Sequence, residues 1–335
     1  MPLKVGNLSI DRRPLEGFWE TMQRKKPPVC DYEGSDYQRT FWDEGERTYE
    51  DRAEAIALRR LLPKSGRLLL DIGAGAGRNA PRYRGFERIV LLDYARSQLR
   101  LAQERLGQDG RYLYVAGDAY CLPFAPAQFD VATMIRTLHH MAEPRLVLAQ
   151  VRQVLRDGAI FVLEYPNKRN LKAILRYILR RQSWNPFSPE PIEFATLNFD
   201  FHPRAVRAWL KECGFAVERN LTVSHFRLGW LKRAVPLSVL VALEALVQWS
   251  GAWGQFSPSV FVRAQAVGTV PPADDLSSSD SLLFRCPRCG HFPLEEQATI
   301  LLCKACSSAY PIHEGIYDFR ESLPYHARLS SAGVG

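Results

Sequence analysis

Five short segments that are apolar almost throughout alternate with helical patterns from about residue 46 onward. The apolar segments read RLLLDIG, RIVLLDY, YLYVAGD, FDVATMI and AIFVLEY. Between them, stretches such as SQLRLAQERL and EPRLVLAQVRQVLRDG repeat apolar residues at helical spacing. Buried strands separated by helices are typical of a parallel sheet that helices cover on both faces. The sequence therefore predicts a doubly wound α/β fold.

Length and charge limit the number of domains and the kinds of partner that this chain can have. The chain has 335 residues, 46% of them hydrophobic, enough for one large core and a second small unit. Its net charge of +8 permits a polyanionic partner or an acidic membrane surface but requires neither. The start, MPLKVGNLSIDRR, has no apolar core of signal-peptide length, which predicts a cytoplasmic protein with reduced thiols.

Four regions follow one another along the chain. Residues 1–45 are mixed and without a sustained period, which predicts an arm that packs on the main domain. The main domain is expected at 46–268, with a substrate-site insertion at about 166–262. The polar, proline-led stretch TVPPADDLSSSDS predicts a linker at 269–281, followed by a cysteine-bearing module at 282–322.

The turn DIGAGAG at 71–77 follows the first strand and must begin a helix. Glycines permit positive φ angles and close approach of a ligand to the backbone. A dinucleotide fingerprint needs its third glycine at position 78, where this chain has Arg78. The carboxylate of Asp71, two residues before the first glycine, would suit a cationic group. This pattern favours a ligand with an ammonium over a pyrophosphate.

From about residue 46 to 220 the chain resembles the class I S-adenosylmethionine-dependent methyltransferases of the small-molecule, type 11-like branch. The matching motifs, in the order of that family, are DIGAGAG, LLDYA, GDAYCLPFAPAQFDVA and RTLHHMAEPRLVLAQVRQVLRDGAIFVLEY. The resemblance implies a Rossmann-like sheet and S-adenosylmethionine as cofactor. Where relatives commonly have a glycine pair, this chain has Asp157 and a single Gly158, a difference expected to affect a turn.

The same resemblance implies specific cofactor contacts. Asp71 would lie near the methionine amine, and Asp93 would accept the two ribose hydroxyls. Tyr94 would lie beside the adenine, with Asp118 at its amino group and the amide of Ala119 at a ring nitrogen. The glycines that would pass under the cofactor are Gly73, Gly75 and Gly77.

Methyl transfer from a sulfonium chiefly requires alignment of the acceptor and exclusion of water. A general base is useful only when the acceptor must lose a proton. The candidates are His139 and His140 after the fourth strand, Tyr165 at a strand end, and His202 at a helix start. Each has a structural alternative: the second histidine of such a pair is commonly structural in the family, Tyr165 could pack at the sheet edge, and His202 could be a turn residue.

The segment KRNLKAILRYILRR, 168–181, predicts an amphipathic helix with lysines and arginines on one face. Such a helix could lie on an anionic membrane, dock against RNA or cap the substrate pocket. The apolar stretch 234–249 is too short to span a bilayer, so we expect a helix of the core or substrate pocket, with contact to one membrane face as the alternative. The largely apolar insertion favours an apolar or lipid-like acceptor.

Two C-x2-C pairs, CPRCG at 286–290 and CKACS at 303–307, are separated by thirteen residues. Two such pairs can complete a tetrahedral sulfur site, which favours zinc at Cys286, Cys289, Cys303 and Cys306, with redox disulfides as the alternative. Residues 282–320 also resemble the small zinc ribbon that activates tRNA and protein methyltransferases.

Together these patterns predict an S-adenosylmethionine-dependent methyltransferase that acts on a small, apolar or lipid-like acceptor. Two alternatives stay open. One is an RNA or protein methyltransferase that docks through the ribbon and the basic helix, and the other is a noncatalytic scaffold that retains the cofactor fold.

Overall fold

The computed structural model describes residues 26–36, 40, 42, 47–270 and 284–324, so most of the predicted linker lies outside the described residues. Helices of at most four turns flank one large β-sheet. Their bounds are α1 (Thr48–Leu61), α2 (Arg96–Leu106), α3 (Pro144–Val154), α4 (Leu171–Ile178), α5 (Pro203–Glu212), α6 (Gly229–Ala234) and α7 (Leu237–Val247). Short 3-10 turns occupy Ala80–Arg82, Leu138–His140 and Gln248–Ala252.

Five parallel strands form the centre of the sheet. They are β1 (Gly66–Ile72), β2 (Phe86–Asp93), β3 (Tyr112–Ala116), β4 (Phe129–Met134) and β5 (Leu155–Pro166), in the spatial order β3-β2-β1-β4-β5. Their apolar side chains are buried on both faces because helices cover both sides. The prediction of a doubly wound α/β fold is confirmed. The chain order reverses between β1 and β4, and the loops that follow these two strands meet at the crevice where such sheets bind ligands.

Two antiparallel strands extend the sheet beyond β5. β9 (Ser259–Ala266) pairs with β5, and β8 (Phe215–Val223) pairs with β9. A small separate hairpin, β6 (Ile192–Ala195) and β7 (Asn198–Asp200), lies between α4 and α5 in the chain. The region predicted as a substrate-site insertion thus also supplies β8 and the start of β9 to the main sheet.

The cysteine-bearing module closes the opposite edge of the sheet. Its strands are β10 (Glu295–Gln297), β11 (Ile300–Leu302), β12 (Ser308–His313), β13 (Ile316–Asp318) and β14 (Leu323–Pro324). β13 runs parallel to β3, with Ile316 opposite Tyr114, and the amide of Phe319 donates to the carbonyl of Ala116 at 2.7 Å. The module and the main domain therefore share one continuous sheet.

Among the residues that the structure describes, no helix is both long enough and apolar enough to cross a membrane.

Candidate cofactor and acceptor site

The glycine turn closes against β2. The amides of Gly73 and Ala74 both donate to the carbonyl of Leu92, at 2.8 and 3.0 Å. Gly73 has a φ of +71°, and a Cβ there would lie 2.1 Å from the Thr137 hydroxyl. Gly75 has a φ of +52°, but a Cβ there would meet no atom within 4 Å. A side chain at position 73 would therefore clash with Thr137, so this position requires glycine. At position 75 no atom of the described residues fills the space above the turn.

Asp93 ends β2 directly beside this turn. Its Oδ2 accepts from the amide of Gly75 at 2.8 Å, and its Oδ1 accepts from the amide of Ala95 at 2.9 Å. Burial raises the pKa of Asp93, and these backbone donors offset part of that effect. Each oxygen retains a lone pair, so the carboxylate can still accept two further hydrogen bonds from a ligand in the cavity.

One cavity brings together much of the predicted cofactor site. It is lined by predicted site residues from the glycine turn, the end of β2, the loop after β3 and the segment after β4, namely Gly73, Gly75, Asp93, Tyr94, Asp118, Ala119 and His140. These residues are far apart in sequence and meet because the parallel strands all end at the same edge of the sheet. The predicted residues that do not line this cavity are Asp71, Gly77, His139, Tyr165 and His202.

Asp71 lies beneath the glycine turn and is almost fully buried. Its Oδ1 accepts from the Thr133 hydroxyl at 2.7 Å, and burial raises the pKa of Asp71 to about 6. Gly77 also has a structural position, since a Cβ there would lie 2.7 Å from Leu106 of α2. Both residues therefore support the turn from below.

Asp118 is the acidic group of the loop after β3. Its Oδ1 accepts from the amide of Tyr120 at 2.9 Å. Its Oδ2 forms an ion pair with the Lys26 ammonium at 3.1 Å. Lys26 therefore neutralises the carboxylate at the position that the resemblance assigns to the adenine amino group.

The described part of the amino-terminal arm covers this cavity. Val29, Cys30 and Tyr32 line it from above. Glu33 accepts from the amides of Arg96 and Ser97 at 2.8 and 3.0 Å, so it caps the first turn of α2 and fixes the arm there. The sequence predicted that the arm packs on the domain but gave no signal of where, because the arm lacks a periodic pattern.

The two adjacent histidines have different environments. His140 is held at both ring nitrogens, by the Tyr32 hydroxyl at 3.1 Å and by the Leu197 carbonyl at 3.0 Å. The His139 ring lies against the His140 ring, with centroids 3.8 Å apart, and has no hydrogen bond with any described residue. Burial, His140 and Arg136 together hold the pKa of His139 well below its usual value. His139 is therefore a neutral imidazole, whereas His140 connects the arm to the β6-β7 hairpin.

Tyr165 and His202 occupy structural positions. The Tyr165 side chain is buried, its hydroxyl donates to Gln255 Oε1 at 3.2 Å, and burial raises its pKa far above the usual range. His202 is the N-cap of α5, where its Nδ1 accepts from the amide of Arg204 at 3.1 Å. Both side chains are therefore engaged in hydrogen bonds within the fold.

The N-cap position of His202 predicts a pH effect on stability. Burial, together with the nearby cations Arg169 and Arg204, lowers the pKa of His202 to about 4. A lowered pKa means that its contribution to stability is complete above the unfolded-state pKa of about 6.5 and is lost as the pH falls toward 4. We expect His202→Asn, which keeps a capping side chain but does not titrate, to remove about 3 kcal/mol of this acid destabilisation. Urea unfolding of both proteins at several pH values measures it, and identical pH profiles would contradict the assignment.

Several charged residues near the cavity were missed by sequence reasoning. Arg136, with a φ of +56°, donates through its backbone amide to Glu164 at 2.9 Å and through its Nε to the buried carboxylate of Glu54 at 2.6 Å. Asp200 ends the β6-β7 hairpin, and burial beside Glu164 raises the pKa of Asp200 to about 6. No local motif identifies these residues, because their contacts join distant segments. Arg136 lines the cavity, whereas Asp200 does not.

The four cysteines of the carboxyl-terminal module converge. All four sulfur atoms lie within 4.8 Å of one another, with Cys286 and Cys306 3.7 Å apart and Cys289 and Cys303 3.5 Å apart. The cluster adjoins the loop after β3, because the amide of Arg285 donates to the carbonyl of Pro123 at 3.0 Å. The sulfur cluster and the Asp118 loop are therefore neighbours.

Known proteins similar to this chain are methyltransferases. The Methyltransferase domain family matches residues 70–163. A demethylmenaquinone methyltransferase of Thermobifida fusca (strain YX) is 30% identical over 181 residues, covering 50% of this chain and 72% of that protein. The O-methyltransferase cnsE of Penicillium expansum is 30% identical over 135 residues, covering 37% of this chain. The chain spans about half the length of that curated relative, namely 48%.

A solved complex between the Haloferax volcanii Trm112 methyltransferase activator and a methyltransferase is 15% identical to this chain, with a TM-score of 0.49. The similarity covers 67% of this chain and 93% of that one.

The sheet order, the glycine turn and the carboxylate at the end of β2 define an α/β protein with a candidate ligand crevice at the switch point of its sheet. The relatives then identify the ligand class. The chain belongs to the S-adenosylmethionine-dependent methyltransferase family.

Proposed function

We propose that this protein transfers the methyl group of S-adenosylmethionine to a small, apolar or lipid-like acceptor. The observation that carries the proposal is Asp93, a carboxylate at the end of β2 that faces the cavity beside the open space above Gly75. A paired set of ribose hydroxyls needs such an acceptor. The residues present therefore fit the cofactor.

Each part of the cofactor has a proposed partner. Asp93 would bind the ribose, while Tyr94, Asp118 and the Ala119 amide would surround the adenine. Lys26 must then leave Asp118 Oδ2 for the adenine amino group to reach it. Asp71 is buried and accepts from the Thr133 hydroxyl, so we propose that it supports the fold beneath the turn instead of contacting the methionine amine directly.

When bound, S-adenosylmethionine supplies a methyl group on a positively charged sulfur. The chain aligns the acceptor and excludes water, and the arm residues above the cavity contribute to that exclusion. If the acceptor is a hydroxyl or an acidic carbon, His139 and His140 are the candidate bases. The His139 ring nitrogens have no described partner, but His139 does not line the cavity, whereas His140 lines it and is held at both ring nitrogens. Tyr165 and His202 are less suited, since both are engaged in structural hydrogen bonds.

Two observations support an apolar acceptor. The insertion after β5 is rich in aromatic and aliphatic residues. The Thermobifida relative is named a demethylmenaquinone methyltransferase, and the Penicillium relative an O-methyltransferase. We propose an acceptor with an aromatic or quinone-like ring for this chain as well.

An assay with methyl-labelled S-adenosylmethionine tests this function. The purified protein is incubated with demethylated quinones, simple phenols, bulk tRNA and a protein extract, and label is counted in each fraction. We expect label in a product extractable into organic solvent, with a loss of about 100-fold or more in His139→Ala if a base is used and wild-type rates in His202→Asn. Label in RNA or protein would contradict the acceptor class, and cofactor binding without any turnover would favour the scaffold.

We further propose that Cys286, Cys289, Cys303 and Cys306 bind one zinc ion. A tetrahedron of thiolates with zinc–sulfur bonds of about 2.3 Å has sulfur–sulfur edges of about 3.8 Å. The observed sulfur separations of 3.5 and 3.7 Å fit that arrangement. Disulfide bonds would require sulfur atoms about 2 Å apart.

A further inference from the structure

The amphipathic helix α4 turns its apolar side away from the protein. Ala173 is its one buried residue, whereas Leu171, Leu175 and Ile178 are exposed, Ile178 at 65%. These three leucine and isoleucine positions follow the spacing i, i+4, i+7 and lie on one face. The alternative in which this helix covers a pocket with its apolar side is therefore wrong for these residues.

Basic residues flank this exposed apolar face. Lys172 and Arg176 each lie about one quarter turn or more from it, on the side away from the half-buried Ile174 and Tyr177. Arg180 and Arg181 follow at the carboxyl end. All four side chains are exposed, and none forms an ion pair with a described residue. The charges are thus available to an anionic partner beside the apolar face.

The helix α7 adds a second exposed apolar group. Only Leu240 and Glu244 of this helix are buried, and Leu246 is 73% exposed. We expected a helix of the core or the substrate pocket, but most side chains of this helix are exposed or half-buried and none of them lines the cofactor cavity. The reason is that Glu244 is the anchored residue, accepting from the Tyr49 hydroxyl at 2.6 Å, while its apolar neighbours face outward. A helix that is apolar on nearly all sides is ordinarily covered.

Phe256 contacts the start of α4. The amide of Leu171 donates to the Phe256 carbonyl at 2.8 Å, and the Arg169 guanidinium lies 5.2 Å from the centre of the exposed Phe256 ring. Trp253, 93% exposed, lies between Phe256 and α7 in the chain. We call this combined set the outer apolar surface; it comprises Leu171, Leu175, Ile178, Leu179, Trp230, Val239, Leu243, Leu246, Trp253 and Phe256.

We propose that the outer apolar surface binds the surface of an anionic lipid bilayer. An interfacial helix buries an apolar stripe in the headgroup region while flanking lysines and arginines meet anionic lipids, and exposed tryptophans suit the same depth. A protein partner of ordinary core character would leave the four cations in and just after α4 desolvated and unpaired, which is costly. Delivery of the acceptor by the bilayer depends on the proposed function. Docking to the bilayer depends only on the outer apolar surface.

Vesicle cosedimentation with the full-length protein tests the proposal. The vesicles contain phosphatidylcholine alone or phosphatidylcholine with phosphatidylglycerol, at low and high salt. We expect at least about tenfold tighter binding to the anionic vesicles, weakened by salt. The double variant Lys172→Glu, Arg176→Glu should lose about 30-fold or more, and Leu175→Ser, Ile178→Ser at least about tenfold.

Matched controls lie on other parts of the molecule. Leu101→Ser changes a comparably exposed leucine of α2, and Arg84→Glu reverses an exposed charge before β2. Both should bind vesicles like the wild type. The affinity for S-adenosylmethionine should be unchanged in all four variants. If no assay detects methyl transfer, the proposed function is contradicted, but the vesicle-binding results would still support membrane docking.

Three results would overturn the proposal. One is equal binding to neutral and anionic vesicles, or none to either. Another is concentration-dependent self-association that Leu175→Ser, Ile178→Ser abolishes, which would assign the surface to a second copy of the chain. The third is salt-sensitive binding of RNA that outcompetes the anionic vesicles.

Discussion

Replacing Asp93 with alanine should weaken S-adenosylmethionine binding by about 100-fold or more. The carboxylate would accept two ribose hydroxyls, and hydrogen bonds to a charged group contribute about 1.5–3 kcal/mol each. It also receives the amides of Gly75 and Ala95, so its loss loosens the turn under the cofactor. Calorimetric titration of the two proteins with S-adenosylmethionine measures the effect.

Two further variants make that result specific. Asp93→Asn retains one oxygen acceptor and should bind more tightly than Asp93→Ala but more weakly than the wild type. Asp109→Ala removes an exposed carboxylate outside the cavity and should leave the affinity unchanged. Thermal melts confirm that each variant is folded. Wild-type affinity in a folded Asp93→Ala protein would remove the ribose assignment.

Replacing Cys286 with serine should abolish zinc binding and unfold the carboxyl-terminal module. Structural zinc contributes about 10–16 kcal/mol in small zinc-finger peptides, far more than a module of this size gains from its own core. Cys286 is one of the two buried cysteines of the cluster. Metal analysis of the purified protein should fall from one zinc ion per chain to nearly none, and a chelator should reproduce the effect in the wild type.

Hydrogen exchange can show which strands lose protection when the metal is lost. Protection should fall in β12 and β13, and also in β3, because β13 pairs with β3. Cys213→Ser is the matched control, since Cys213 lies at the end of α5, outside the cluster. A full zinc content in Cys286→Ser would show that these four cysteines do not form the metal site.

The parallel core and the cofactor cavity are the parts of the structure that the sequence predicts best. Each central strand is a short apolar run, and the glycine turn and Asp93 lie at the end of such runs, so local patterns locate them. β8 was missed because Glu218, Arg219 and Asn220 interrupt its apolar pattern on a strand that forms the edge of the sheet. Strand pairing, rather than composition, makes it part of the sheet.

The remaining features depend on contacts between distant segments. Arg136 meets Glu54, and Lys26 meets Asp118, through the tertiary fold alone. The same holds for α4 and α7, whose amphipathic or apolar patterns are equally consistent with burial and with an exposed binding surface. Periodicity identifies which residues share a face but does not determine what that face contacts.

The pairing of β13 with β3 also bears on how the chain is made. An unpaired strand edge presents open amide and carbonyl groups to which other chains can add. During translation β3 leaves the ribosome long before β13, and the main domain can begin to fold in that interval. The nascent protein therefore carries an open edge until its cysteine module has been synthesised, so the interval in which it needs protection from aggregation is set by the time required to translate from β3 to β13.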